Sequence, residues 1–130
     1  GIAQRALDEG IAYTKTRQQF GRPVAKNQAL QFKMADMAMQ IELARQMVAH
    51  AHKLYELGLP YGKEAAMAKC YAGDMAVQVT LDGIQLFGGY GYSREYPVEK
   101  LLRDAKIFQI FEGSNEIQRV VIANHILGKF

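Results

Sequence analysis

The sequence has a single cysteine, Cys70, so no internal disulfide can form, and no second Cys or His stands near it at metal-ligand spacing. Cys70 lies in an alanine-rich helical stretch, where an unpaired cysteine reads as a small core residue. No apolar run approaches the ~20 residues that cross a bilayer, and no basic start leads through an apolar stretch to a small-residue cleavage site. These absences predict a soluble, unexported protein with no membrane partner. Strand-like alternation is almost missing, as are fixed-period repeats and low-complexity linkers, which argues against sheet, solenoid and disordered architectures. The three histidines form no metal constellation: His50 and His52 are two apart and point to different sides of a helix, and His125 is remote. Nor is charge of one sign gathered anywhere. The net charge of +3 comes from sixteen Lys and Arg interleaved with thirteen acids, so a nucleic-acid partner is not expected, although an anionic small ligand is compatible.

What is present is helix. At 130 residues with 49% apolar content, the chain suits one domain with one core. The segment Gly1 to Arg17 is amphipathic, with acids before bases, and stops before the turn at Gln19-Phe20-Gly21-Arg22-Pro23. Next comes a long stripe: Leu30, Met34, Met37, Ile41, Ala44, Val48, Ala51 and Tyr55 alternate by four and three, which demands a helical partner. Asn27 is the expected N-cap, and Gly58 with Pro60 the expected stop, for a rod of roughly 45 Å. A third helix is predicted from Lys63 to Phe87, with Ala68, Ala72, Met75, Val79 and Leu86 on one face, ending at Gly88-Gly89-Tyr90-Gly91. A shorter helix through Leu101, Leu102 and Ala105 and a last one carrying Ile117, Val120, Val121 and Leu127 flank a break at Phe111-Glu112-Gly113. The expected fold is all-α: an up-and-down four-helix bundle with an additional short helix.

Three features carry candidate chemistry, each beside a plain structural alternative. Gly88-Gly89-Tyr90-Gly91 lets the backbone approach a ligand, or it simply ends a helix; it follows a helix and not a strand, so it lacks the context of a dinucleotide-binding loop. Glu112 stands beside Gly113 between two apolar segments, where Ser114 as a helix cap leaves first-turn amides for an oxygen-rich ligand; an exposed glutamate in a connecting turn is the alternative. Arg17 can fork onto phosphate oxygens or satisfy the last carbonyls of its helix.

Taken jointly, Arg17-Gln18-Gln19-Phe20-Gly21-Arg22-Pro23, Gln28, Gln85-Leu86-Phe87-Gly88-Gly89-Tyr90-Gly91, Glu95-Tyr96-Pro97, Arg103-Asp104-Ala105-Lys106 and Phe111-Glu112-Gly113-Ser114-Asn115-Glu116-Ile117-Gln118-Arg119 closely resemble the acyl-CoA dehydrogenase family. The likeness runs over essentially the whole chain, 1–130, and is to the C-terminal helical domain of short-chain, butyryl-CoA dehydrogenase-like members. It implies a flavin enzyme that converts an acyl-CoA to the trans-2-enoyl-CoA. Glu112 matches the base that takes the α-proton while FAD takes the β-hydride, and Gly113 matches a substrate contact. Arg17 and Gln28 match contacts to the FAD of a neighbouring subunit, and Gln85, Leu86, Phe87, Gly88 and Gly89 match contacts to its adenosine and diphosphate part. Ser114, Asn115 and Glu116 match a further flavin contact; Ser114-Asn115 departs from the commoner Thr-Ser or Thr-Ala pattern, which keeps the hydroxyl and changes the next contact.

The resemblance also implies a homo-oligomer, commonly a tetramer, electron-transferring flavoprotein as acceptor, and a bacterial cytoplasmic or mitochondrial matrix location. The family's N-terminal helical domain and middle β-domain have no counterpart in these residues, so the expectation is a fragment that neither retains FAD nor turns over alone. Two further readings stay open: a helical oligomerisation module, and an acyl-CoA oxidase or other flavoenzyme on the same fold. Glu112 favours dehydrogenation over nitroalkane-type oxidation, where Asp is usual, and the motifs lean toward short or branched acyl chains.

Overall fold

A computed structural model describes residues 1–128 of the chain. Five α-helices, α1 (Ile2–Thr16), α2 (Gln28–Glu56), α3 (Gly62–Phe87), α4 (Val98–Lys106) and α5 (Asn115–Leu127), are joined by short 3₁₀ turns and one tight hairpin. The hairpin pairs β1 (Gln18–Gln19) with β2 (Arg22–Pro23). It occupies the turn expected from Gly21 and Pro23: Phe20 at φ 52° and Gly21 at φ 75° supply the two positive φ angles that a two-residue hairpin corner requires.

The helices run up, down, up and down. The Thr14 hydroxyl meets the Met34 sulfur at 3.7 Å and Arg45 donates to Gln4 at 3.3 Å, so α2 is antiparallel to α1. Lys33 pairs with Asp82, turning α3 back again. That leaves α1 and α3 parallel and close, because small residues line their contact: a Cβ on Gly83 would lie 3.2 Å from that of Ala6. The fourth leg is divided. Tyr96, before α4, packs on Phe87 near the end of α3, whereas the start of α5 lies against Cys70 and Asp74 and its end, at His125, against Gly62. Both helices therefore descend along α3, and the break between them is where Glu112 sits.

The central helix α3 packs against every other α-helix. That is why residues beyond the one predicted face are buried on it, including Cys70, Gly73, Thr80 and Gly83. The core joins Ala3, Ala6, Leu7, Met37, Ile41, Val79, Leu86, Phe87 and Val98. The stripe on α2 is only partly interior: Met37, Ile41, Ala44 and Ala51 are buried, but Val48 and Tyr55 are 52% and 61% exposed. A straight helix drifts ~20° per heptad from a strict seven-residue repeat, and the hydrogen bonds between α1 and α2 reach only as far as Arg45, so Val48 and Tyr55 lie outside while the small Ala51 stays covered. Asn27 stands at the N-cap of α2 without capping it, because its side-chain oxygen accepts from Arg22 at 3.1 Å. No helix among the described residues is long and apolar enough to cross a membrane.

Candidate functional site

Two clefts lie at different levels of the bundle. The first, of about 480 Å³, is formed where α1 ends, α2 begins and α3 ends. It brings together Arg17 and Gln85-Leu86-Phe87-Gly88-Gly89, residues separated by nearly seventy positions, with Tyr13 and Tyr90 beside them. Leu86 and Phe87 are themselves buried core residues that border the cleft. Phe87 stacks on Tyr13 at 4.1 Å, and Tyr96 meets both rings edge-on. Burial pushes the Tyr13 phenol up, with the Arg17 charge opposing.

Arg17 is the C-cap residue of α1 and has turned into extended backbone. Its guanidinium lies over the Tyr90 ring at 5.3 Å, and among the described residues no acidic side chain pairs with it. Gly88, at φ 60°, ends α3 by donating to the Gln85 carbonyl. Gly89 has nothing within 4 Å of the position a Cβ would take, so backbone and open space meet there. Gln28, the exposed first residue of α2, is at this end of the bundle but does not line the cleft; its neighbour Asn27 does.

The second cleft, of about 280 Å³, lies between the start of α1, the first half of α3 and the break in the fourth leg. Ile2, Ala72, Met75, Ala76, Phe108 and Phe111 give it apolar walls, with Phe108 and Phe111 edge-to-face at 5.2 Å. Glu112 sits on its rim. Glu112 stands between two apolar segments of the sequence, yet the residue is exposed where it borders the cleft. Glu112 at φ 55° and Gly113 at φ 84° are consecutive left-handed residues. For glutamate that conformation costs of order 1–3 kcal/mol, so the surrounding structure must hold it.

The holding groups are polar and come from α3 and α5. Lys69 donates to the Gly113 carbonyl at 2.7 Å and to the Asn115 side-chain oxygen at 2.8 Å. Gln118 donates to the carbonyls of Gly113 at 3.2 Å and Glu112 at 3.4 Å. Ser114 caps α5, accepting from the Ile117 amide at 3.5 Å, as expected. Glu116, exposed on the first turn, is held below the usual carboxylate range by its own amide and then by the Ser114 hydroxyl. Asn115 differs from the flavin contact expected of it. Its side chain is 2% exposed and points into the bundle, donating to the Cys70 carbonyl at 3.0 Å and to Asp74 at 2.8 Å. Its carbonyl accepts from Arg119 at 3.2 Å, so the residue is committed to the bundle. Cys70 is buried, and burial pushes its thiol up, so it is a core residue and not a nucleophile.

Lys69, Asp74 and Gln109 were not singled out in the sequence, and Arg119 stood there only as the last residue of the Phe111 to Arg119 motif, with no role given. Asp74 accepts from Gln109 at 2.7 Å, from Asn115 and from Arg119 at 2.6 Å. Burial raises its carboxyl, but these three donors outweigh it and the net shift is downward. A depressed carboxylate adds stability that is complete above the ordinary Asp value of about 3.9 and is lost as pH falls through the folded value. Replacing Asp74 by Asn is therefore expected to lower Tm at pH 7 and to flatten the Tm profile below about pH 4, which a thermal melt series reads directly. A wild-type and variant difference that does not shrink toward low pH sinks this assignment.

The structure is an all-helical bundle with one cleft beside Arg17 and the glycine turn after α3, and a second, apolar cleft beside the Glu112 turn. The chain belongs to the acyl-CoA dehydrogenase family: the family described as acyl-CoA dehydrogenase, C-terminal domain, matches residues 1–127. An acyl-CoA dehydrogenase of Bacillus subtilis is 56% identical over 128 residues, covering 98% of this chain and 34% of its own. Butyryl-CoA dehydrogenase from Megasphaera elsdenii superposes with a TM-score of 0.95 at 50% identity, covering 97% of this chain and 33% of the other. A chain in the structure of the electron transferring flavoprotein of Acidaminococcus fermentans superposes with a TM-score of 0.96 at 52% identity, over 98% of this chain and 34% of that one. The sequence spans about a third of the length of these relatives.

Proposed function

We propose that this chain is the C-terminal part of a flavin-dependent dehydrogenase that oxidises a short acyl-CoA to the trans-2-enoyl-CoA. The observation that carries the reading is Glu112, a carboxylate on a left-handed turn at the rim of an apolar cleft. In this reading Glu112 removes the α-proton of the thioester, and Gly113, free of a side chain, lets the carbonyl come close to backbone. Bound FAD supplies the acceptor for the β-hydride. The residues present suit that cofactor: a guanidinium with no acidic partner among the described residues, open glycine backbone and aromatic rings at the first cleft fit a nucleotide diphosphate. Arg17, Gln85, Gly88 and Gly89 would hold the diphosphate end, with Gln28 nearby, and Ser114 and Glu116 the other. Ser114 and Glu116 line a separate pocket with Asp74, Lys106 and Gln109, away from the first cleft, so in this reading one chain serves two cofactors, and the reading includes a homotetramer with electron-transferring flavoprotein as acceptor. Exposed Phe32, Met39 and Leu43 on α2 support a helix-to-helix surface between copies.

The test is an anaerobic titration of the full-length protein with a panel of acyl-CoAs, following the flavin band. Bleaching by one chain-length class supports the dehydrogenase; bound FAD that no thioester bleaches overturns it. The isolated 130 residues are expected to purify without stoichiometric flavin.

Gly89 separates ligand binding from folding. A Cβ there meets nothing and φ is unexceptional, so Gly89→Ala should change stability by less than about 0.5 kcal/mol. The same methyl enters the space assigned to the diphosphate, so FAD affinity of the full-length variant should fall about tenfold or more, read by flavin release on dilution. Unchanged flavin affinity would remove Gly89 from the site.

A further inference from the structure

The side chains around the glutamate turn form a brace whose members no ligand contact requires. Glu112 and Gly113 adopt successive left-handed conformations, and such a turn aims its carboxylate only if its two carbonyls are fixed. Both are. The Gly113 carbonyl accepts from Lys69 at 2.7 Å and from Gln118 at 3.2 Å, and the Glu112 carbonyl accepts from Gln118 at 3.4 Å. Lys69 is in turn located by the Asn115 side-chain oxygen at 2.8 Å, and Asn115, 2% exposed, is anchored on α3 through the Cys70 carbonyl and Asp74. The central helix thus reaches the turn through one cationic side chain held in a single geometry. Gly73 keeps the space open: a Cβ there would stand 3.0 Å from the Asn115 amide nitrogen and 3.1 Å from the Phe108 carbonyl.

We infer that Lys69 is a positioning residue for proton abstraction: by gripping the Gly113 carbonyl from α3, with Gln118 gripping from α5, it holds the Glu112 carboxylate at the angle the reaction needs. This rests on the proposed dehydrogenase reading. Lys69 touches neither reacting atom in that reading, so its effect falls on the rate of the chemical step and not on thioester affinity. Lys69 also lines the same cleft as Glu112.

The experiment uses the full-length flavoprotein with an acyl-CoA that bleaches it, and compares wild type with Lys69→Met, Lys69→Arg, Gln118→Leu and Glu112→Gln. Stopped-flow bleaching at saturating thioester, its pH profile, KM, flavin content and Tm are read for each. Lys69→Met is expected to slow bleaching about 10- to 100-fold with KM and flavin content within about twofold. Lys69→Arg, which keeps charge and donor, restores most of the rate. A Lys69→Met protein that bleaches within about twofold of wild type, or whose loss vanishes when normalised to flavin-loaded folded protein, overturns the inference. If Lys69→Met does not fold, Gln118→Leu decides: Gln118 is half-buried and leucine keeps its length, so a slower step at full flavin content supports the brace and an unchanged step refutes it. Glu112→Gln separates the two levels, since continued bleaching by that variant defeats the dehydrogenase reading itself, whereas its inactivity beside an unaffected Lys69→Met defeats only the brace.

Discussion

Glu112→Gln in the full-length flavoprotein is expected to lower turnover by about 10³- to 10⁴-fold while leaving flavin bound, because the substitution removes a proton acceptor and almost nothing else. The side chain is exposed at the cleft rim, with no salt bridge to lose among the described residues, and glutamine keeps its size and its φ of 55°. Stability should therefore change by less than about 0.5 kcal/mol, the ordinary range for a surface replacement. The informative comparison is between the flavin band with thioester added and the unfolding midpoint without it. Bleaching lost with Tm intact assigns the base. Turnover that survives within about tenfold would move the proton acceptor elsewhere and leave this domain as a helical assembly module.

The helical plan was legible because it rests on local chemistry. Gly58, at φ 66°, ends α2 where the glycine and following proline said it must, and Gly88 ends α3 likewise. Ser114 caps α5 because a serine hydroxyl can reach an amide three residues on without help from the rest of the fold. Readings that depended on distant partners fared differently. Asn27 had the right identity for a cap, but Arg22 took its oxygen once the hairpin formed. Asn115 stood in a motif of ligand contacts, yet its side chain turned inward because Asp74 and the Cys70 carbonyl lie beneath it. Lys69 and Gly113 are joined across 44 positions, a pairing no periodicity encodes. The roles given to Arg17 and the Gln85 to Gly89 run came from resemblance; the fold adds that one cleft holds them all, apart from Gln28.

Gly91→Ala is expected to be the most destabilising small change in the chain, at about 3 kcal/mol, whereas Gly10→Ala should stay within about 1 kcal/mol of wild type. The two look alike by distance: a Cβ would lie 2.4 Å from the nearest atom at Gly91 and 2.5 Å at Gly10. What each meets decides the outcome. At Gly91 the obstacles are the Ile84 carbonyl oxygen, the Ile84 Cα at 3.0 Å and the Phe87 Cβ at 3.0 Å, all fixed by the last turns of α3. Nothing there can rotate away, so the 3₁₀ segment Gly88–Tyr92 must lift from the helix, taking Tyr90 from its place beneath Arg17. At Gly10 the obstacle is the terminal methyl of Leu86, which can change rotamer, and a helix interior gains roughly 0.5–1 kcal/mol when glycine becomes alanine. For a domain of this size the Gly91 penalty corresponds to a Tm fall on the order of 10 °C. Melts followed by circular dichroism distinguish the two variants, and flavin affinity in the full-length protein should drop with Gly91→Ala alone. Equal Tm values for both would mean that the turn after α3 yields as readily as a leucine side chain, and the packing that shapes the first cleft would then be far softer than these contacts imply.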